Sequence, residues 1–159
     1  MPSIAEAVAD AKDGICRRLS TTPGLTEADG IWVASAVVSP DELAPGTNVV
    51  SLGDVTITSG TPPGLAGDQG SPSLAGLVEV TVLEGDETAI RKARRQAAEL
   101  MGLVKATIAA DPTVDNTIQP PGGTRVAISA LSETPVDWKG QAARRATYPF
   151  TVSWSSHVA

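Results

Sequence analysis

Cys16 and His157, the single cysteine and the single histidine of this sequence, form its candidate pair for nucleophilic catalysis. A cysteine nucleophile needs a base within hydrogen-bond reach. His157 lies at the end of the chain, where residues are often poorly ordered, and Cys16 follows an apolar residue of a predicted helix. We therefore interpret Cys16 as a structural thiol, and we expect no catalytic residues and no enzymatic activity.

The same two counts limit disulfides and metal sites. A single cysteine excludes an intrachain disulfide and a cysteine-based zinc site. A single histidine leaves carboxylates as the remaining ligands, and no spacing of Asp and Glu resembles a calcium-binding loop. We expect no metal and no other cofactor.

A basic cluster spans residues 91–95, with the sequence Arg-Lys-Ala-Arg-Arg. Such a cluster can bind phosphate groups, but it falls on the polar side of a predicted helix and has no neighbouring aromatic residue on which a base could stack. The net charge of −6 also argues against a protein that mainly neutralises nucleic acid. We expect Arg91, Arg94 and Arg95 to be solvated or to contact another subunit, and nucleic-acid binding is the weaker alternative.

Charge is divided along the chain. Residues 19–90 contain ten carboxylates and no lysine or arginine, whereas residues 91–159 contain nine basic and five acidic residues. Two interpretations remain open. The opposite charges can meet within the fold or lie on solvated surface, or they can form separate patches that guide head-to-tail contacts between copies, of which a ring is one closed outcome.

A long amphipathic helix between Asp86 and Pro112 is the strongest structural signal. Apolar residues recur along it at three- and four-residue steps, with Asp86 as a possible N-cap and Pro112 as the stop. A shorter helix is predicted after Ser3 and ends near Thr22. Within the long helix, a glycine at position 102 is less favourable than alanine. We therefore predict that a neighbouring backbone segment approaches the helix closely at that turn.

The remaining periodic segments read as strands. They are predicted at residues 30–38, 77–83, 124–131 and 146–154, and residues 49–58 form either two short strands or one strand interrupted at Gly53-Asp54. Residues Pro135 through Gly140 read as a connection. We expect one domain over residues 1–159 with an α+β fold: a two-layer sandwich in which two helices cover one face of a small, mostly antiparallel sheet of four to five strands.

A segment rich in glycine, proline and serine, residues 60–76, is predicted to be a long flexible loop without regular structure. It is either a mobile loop without a role or an arm that contacts a partner, through residues such as Leu65 and Asp68. Trp138, between a proline and a glycine, is a further candidate for an interface. No apolar stretch is long enough to span a membrane and no secretory signal is present, so we expect a soluble protein without a membrane partner.

The second half of the chain resembles a known family. Ala110-Asp111-Pro112-Thr113-Val114 ends the long helix, a strand follows around residues 126–128, and Arg144-Arg145-Ala146 introduces a final strand over residues 147–152. In this order, which is clear over residues 76–154, the sequence resembles the tail terminator (tail completion) proteins of long-tailed bacteriophages.

The resemblance implies a mechanical function in the tail or neck of a virion that is assembled in the host cytoplasm. Such a protein forms a ring of identical subunits, a hexamer in this family, that caps the tail tube, fixes tail length and binds a head-side neck or connector protein. DNA would pass through the ring without sequence-specific binding. Arg144 and Arg145 become further candidate contacts, and Asp41, Glu42 and Asp54 become candidates for an acidic lumen that repels phosphates. Other neck or tail components, namely a head-closure or tail-tube protein, are the alternatives.

Overall fold

Two α-helices, a short 3-10 helix and seven strands make up the regular structure of the described residues. The computed structural model describes residues 3–36, 43, 47–59, 68–83, 86–114, 117–118 and 124–158. In chain order the elements are helix α1 (Ile4–Ser20), a 3-10 turn (Glu27–Asp29), strands β1 (Ile31–Ala34), β2 (Asn48–Ser59) and β3 (Asp68–Val82), helix α2 (Glu87–Ala110), and strands β4 (Thr124–Ile128), β5 (Ser132–Trp138), β6 (Gln141–Trp154) and β7 (Ser156–Val158).

Both helices begin at the predicted caps. The Ser3 hydroxyl accepts a hydrogen bond from the Glu6 N–H at 3.2 Å, while the Ser3 N–H donates to the Glu6 carboxylate at 2.6 Å, which satisfies two free helix-end donors. The Asp86 carboxylate accepts from the Ala89 N–H at 2.8 Å. Helix α2 ends at Ala110, two residues before Pro112.

The strands form one mixed sheet in the order β1-β2-β3-β6-β4, with β5 also paired to β6 and β7 to β3. Strand β1 runs parallel to β2, and the other pairs are antiparallel. The predicted α+β class, with helices packed on a mostly antiparallel sheet, is confirmed. The sheet has more strands than the predicted four to five, because β5 and β7 were not expected.

The prediction of a loop over residues 60–76 is wrong for its second half, which is the start of β3. Gly70 and Gly76 are positions where a neighbouring side chain takes the place of a Cβ: a Cβ would lie 2.5 Å from Ile4 Cδ1 at Gly70 and 2.2 Å from Phe150 Cζ at Gly76. Glycine thus belongs to the packing of this strand rather than to a loop. Residues 60–67, including Leu65, lie outside the described residues.

The connection predicted at Pro135–Gly140 is also wrong, because these residues belong to a hairpin. Strand β5 pairs with β6 from Ser132 opposite Thr147 to Trp138 opposite Gln141. The two linking residues, Lys139 and Gly140, have φ values of 51° and 84°. Positive φ at both residues is what a type I′ hairpin turn requires.

The alternatives for residues 49–58 are resolved as one strand, with a register shift between Leu52 and Val55.

The main core lies between the helices and one face of the sheet, which we call the helix face. Its buried residues come from both helices and from β2, β3 and β6, with Ile15, Leu19, Leu52, Leu74, Val78, Val104 and Phe150 among them. On the opposite face, called the open face, a small cluster of Leu43, Val49, Trp138 and Ala143 is buried. No helix in the described part of the chain is long and apolar enough to cross a membrane.

Candidate interaction surfaces

The basic cluster on α2 is largely paired with nearby carboxylates. Arg91 contacts Glu87 at 2.9 Å and Arg95 contacts Glu99 at 3.8 Å, both within one helical turn and both well exposed. Arg94 makes a two-point contact with Glu133 of β5, in which its terminal nitrogen lies 2.9 Å from Oε2. Such exposed pairs stabilise a fold little. The side chains of Arg91 and Arg95 are 70% and 86% exposed, so they remain accessible on the outer side of the helix.

The pair of Arg94 and Glu133 connects α2 to the hairpin of β5 and β6. Hydrogen bonds from Arg94 lower the pKa of the Glu133 carboxyl, and the same contact raises the pKa of the Arg94 guanidinium. The carboxylate therefore keeps its charge to lower pH than an isolated glutamate. This pair lies within the net-basic half of the chain, so it reduces the positive surface that the sequence predicted there.

Arg144 and Arg145 point to opposite faces of the sheet, because side chains alternate along a strand. Arg145 lies on the open face, where its Nε donates to Thr81 Oγ1 at 3.2 Å and its guanidinium carbon lies 6.0 Å from the centre of the Trp138 ring. Burial raises the pKa of the neighbouring Glu79 carboxyl, and the positive charge of Arg145 partly opposes that shift. Arg145 is thus part of the monomer's own packing.

Trp138 is not an accessible contact residue, contrary to the prediction. It is 4% exposed and packs in the small cluster with Leu43, Val49 and Ala143. Lys139, next along the chain, donates from Nζ to the carbonyl of Leu43 at 3.0 Å. The tip of the hairpin therefore binds the connection between β1 and β2, and Trp138 fills the space beneath it.

Of the acidic candidates, Asp54 is exposed at the register shift of β2. Asp68 is the first residue of β3, and its backbone pairs with Val158 of β7. Asp41 and Glu42 lie outside the described residues. The described ion pairs of the arginines on α2 do not include Asp54.

Cys16 and His157 belong to different elements, α1 and β7. Burial, and secondarily the charge of Asp13, raise the pKa of the Cys16 thiol, with a smaller opposing effect from Lys12. A raised pKa disfavours the thiolate, which is the nucleophilic form. Within the ranges given above, no group of three or more His, Cys, Asp or Glu side chains could hold a metal ion.

Two exposed hydrophobic side chains on edge strands are the feature that sequence reasoning missed. Among the described residues, Trp32 on β1 and Ile128 on β4 are the large hydrophobic side chains that remain exposed, at 41% and 44%. Periodicity marked both segments as strands, but whether a strand lies at an edge depends on the pairing of the whole sheet. A groove of about 590 Å³ adjoins β1, and Glu27 and Trp32 are among its lining residues.

Comparison with known proteins shows a similarity of fold. No protein family profile matches the chain, and no curated protein matches it. A chain in the solved structure described as the virion of a native gene transfer agent (GTA) particle superposes with a TM-score of 0.57 at 14% identity. This chain shares the fold of a gene transfer agent virion protein. The match covers 94% of this chain and 98% of the virion chain, so the likeness extends over nearly the whole of both.

Proposed function

We propose that this protein is a structural component of a virion. The observation that carries the proposal is the near-complete overlap with a chain of the gene transfer agent virion, since almost nothing in either chain falls outside the shared fold. The arrangement of side chains is in keeping with such a function. The thiol that could act as a nucleophile has a raised pKa, and the charged groups on α2 form surface pairs rather than a substrate pocket.

Within the virion, we propose the position of a tail terminator. The protein would form a ring, of six subunits by analogy with the family it resembles, that caps the tail tube and binds a neck protein on the head side. The support is the resemblance over residues 76–154 together with an α+β fold of matching element order. In such a ring the acidic residues Asp41, Glu42 and Asp54 would face the passing DNA, and like charge would keep the phosphates from adhering.

The test is removal of the gene from the genome that encodes the protein, followed by electron microscopy of the particles. A terminator predicts tails of irregular length that remain unattached to filled heads. Loss of all tails would instead assign the protein to the tail tube, and normal tails beside leaking heads would assign it to head closure. Particles with normal composition and shape would refute a structural function in the virion.

Purified protein supplies an independent measurement of assembly. A hexamer of 16.2 kDa subunits has six times that mass, about 97 kDa, which light scattering distinguishes from a monomer. Salt-dependent binding to duplex DNA, measured in parallel, tests the nucleic-acid alternative. Strong binding that falls steeply with salt would favour nucleic-acid binding over a ring whose acidic residues repel DNA.

A further inference from the structure

The two ends of the sheet differ in a way that suits them to each other. Strand β1 closes one end of the sheet and β4 lies at the other. Each carries one of the two large hydrophobic side chains that are exposed among the described residues, Trp32 and Ile128. Exposed edge strands with apolar side chains are sites where further strands add, and folded proteins usually block them.

Strand β5, which pairs with β6 on the same side as β4, is an edge strand that is protected against strand addition. The two-residue turn makes Trp138 and Gln141 a hydrogen-bonded pair, so by alternation the backbone groups of Glu133, Pro135 and Asp137 point away from β6. Proline has no N–H to offer, and the two carboxylates disfavour an apolar neighbour. Strand β5 is therefore protected against strand addition.

Strand β4 has no such protection. The Ser129 N–H donates to the Pro149 carbonyl at 2.8 Å, so alternation directs the backbone groups of Thr124, Val126 and Ile128 away from β6. Each of these three residues has an N–H and a carbonyl. The described part of the chain pairs no other strand with this side of β4.

Strand β1 presents a complementary edge. The Asn48 N–H donates to the Gly30 carbonyl, which places the backbone groups of Ile31 and Val33 on the side away from β2. The Ile31 N–H donates to Thr26 within the preceding turn. The Ile31 carbonyl and both groups of Val33 therefore remain directed outward.

Charge and strand direction favour joining β1 of one copy to β4 of another. The edge of β1 is acidic, with Glu27 and Asp29 exposed in the turn before it, whereas the edge of β4 carries the exposed Arg125. Opposite charges on the two edges favour their encounter, while the antiparallel sense places Arg125 opposite β1 itself. Asp29 accepts three hydrogen bonds, from Thr26 Oγ1, Thr26 N–H and Gly24 N–H, which lower its pKa and keep it charged. The pairings also make β4 run opposite to β1, so a neighbour with the same orientation meets β4 in the antiparallel sense.

We infer that β1 of one copy adds to β4 of the next, so that the sheets join head to tail. This inference rests on the proposed ring and names its interface. With all helices on the same side and Arg125 opposite Trp32, Val126 lies on the helix face opposite Ile31 of the neighbour, and Ile128 lies beside it, next to the acidic turn. Trp32 lies on the open face, where Arg125 and Ala127 of the next copy are available, and an arginine over a tryptophan is a favourable contact. Because the two patches differ, the contact repeats and can close into a ring.

The experiment uses two variants that each place an opposing charge on one edge. Trp32→Lys introduces a positive charge opposite Arg125, and Ile128→Asp introduces a negative charge opposite the acidic turn. Each variant alone should lower the affinity between copies by about tenfold or more, as the loss of a central contact typically does. Asp137→Lys on the protected strand β5 is the matched control, and it should assemble like the wild type.

Mixing the two variants tests the pairing directly. Trp32→Lys keeps an intact β4 and Ile128→Asp keeps an intact β1, so an equimolar mixture should form 1:1 dimers of two 16.2 kDa chains at a concentration where each variant alone is monomeric. Dimers of Trp32→Lys alone would show that β4 pairs with itself, which overturns the inference. Rings formed by both single variants would overturn it as well, while leaving the proposed function intact.

A wild-type chain that stays monomeric at every concentration, with an unaltered particle after gene removal, refutes both the interface and the proposed function.

Circular dichroism and thermal unfolding show whether the variants are folded. If either charged variant is unfolded, Trp32→Thr and Ile128→Thr replace the pair, because threonine suits a strand and removes the apolar contact. Unchanged assembly of both folded threonine variants overturns the inference.

Discussion

The ring of Phe150 occupies the space above Gly76, its direct partner across β3 and β6. A Cβ on residue 76 would lie 2.2 Å from Phe150 Cζ, and Phe150 is only 2% exposed, so the ring has no free space to move into. An aromatic side chain over a glycine is a known way to pack a strand that would otherwise be weakened by that glycine. This relationship fixes one strand against the other at the centre of the sheet.

Replacing Gly76 with alanine should destabilise the fold. Overpacking in a core typically costs about 1–3 kcal/mol, and urea unfolding monitored by circular dichroism measures the loss. In a Phe150→Leu background the same replacement should cost less, because the smaller side chain makes room. An equal cost in both backgrounds would contradict the contact.

Gly102→Ala is the matched control within the same protein. Around Gly102, nothing among the described residues lies within 4 Å of an added Cβ, so the predicted close backbone approach is absent there. Alanine in a helix interior should then increase the free energy of unfolding by up to about 1 kcal/mol. A loss of stability would show that α2 has a neighbour at this turn.

The hairpin turn predicts a second substitution effect. Gly140 has φ of 84° and open space around its Cβ position, so Gly140→Ala should lower the free energy of unfolding through backbone strain alone, by about 1 kcal/mol. Gly140→Asn should cost less, since asparagine tolerates this conformation. Thermal unfolding of the two variants compares them, and equal losses would argue against a left-handed residue at this position.

The contact between Arg94 and Glu133 should make stability depend on pH. Because the contact lowers the pKa of Glu133 in the folded state, it stabilises the fold above the unfolded pKa of about 4.3 and this contribution is lost as pH falls through the lower folded value. Glu133→Gln should therefore lower the melting temperature at pH 7, and the difference from the wild type should shrink as the pH is lowered below 4. A difference that does not change with pH would assign the effect to packing.

Burial predicts that the Cys16 thiol is slow to react. Its pKa is raised, so less thiolate is present at pH 8 than in the unfolded chain, and access is also restricted. Iodoacetamide should modify the native protein more slowly than the same protein in urea, and the ratio of the two rates should increase as the pH is lowered from 9 to 7. Equal rates would show that Cys16 is exposed in solution.

Periodicity and capping signals were sufficient for the helices and for the fold class. Ser3, Asp86 and Pro112 marked helix ends correctly, because caps and stops are local effects within one turn. The periodicity of residues 77–83 likewise predicted a strand, which forms the second part of β3. These features depend on residues close together in the sequence.

Features that depend on distant neighbours were not predictable. Gly70 and Gly76 suggested a loop, and only the positions of Ile4, Ile57 and Phe150 explain why they lie in a strand. Pro135 suggested a connection, although proline is permitted on an edge strand where its missing N–H would point outward. The candidate interface also depends on distant neighbours. Trp32 and Ile128 are edge residues because of the way in which β2 and β6 pair with the other strands.

The central pairing of β3 with β6 has a consequence for the order of events during biogenesis. Strand β1 pairs with β2 across a short stretch of sequence, whereas β3 pairs with β6 only after α2, β4 and β5 have intervened in the chain. Formation of such non-local pairs is slow because the connecting chain must be ordered first. We expect β6 to dock late, so a newly made subunit would become competent to recruit a neighbour through β4, which pairs with β6, only when the rest of its fold is complete.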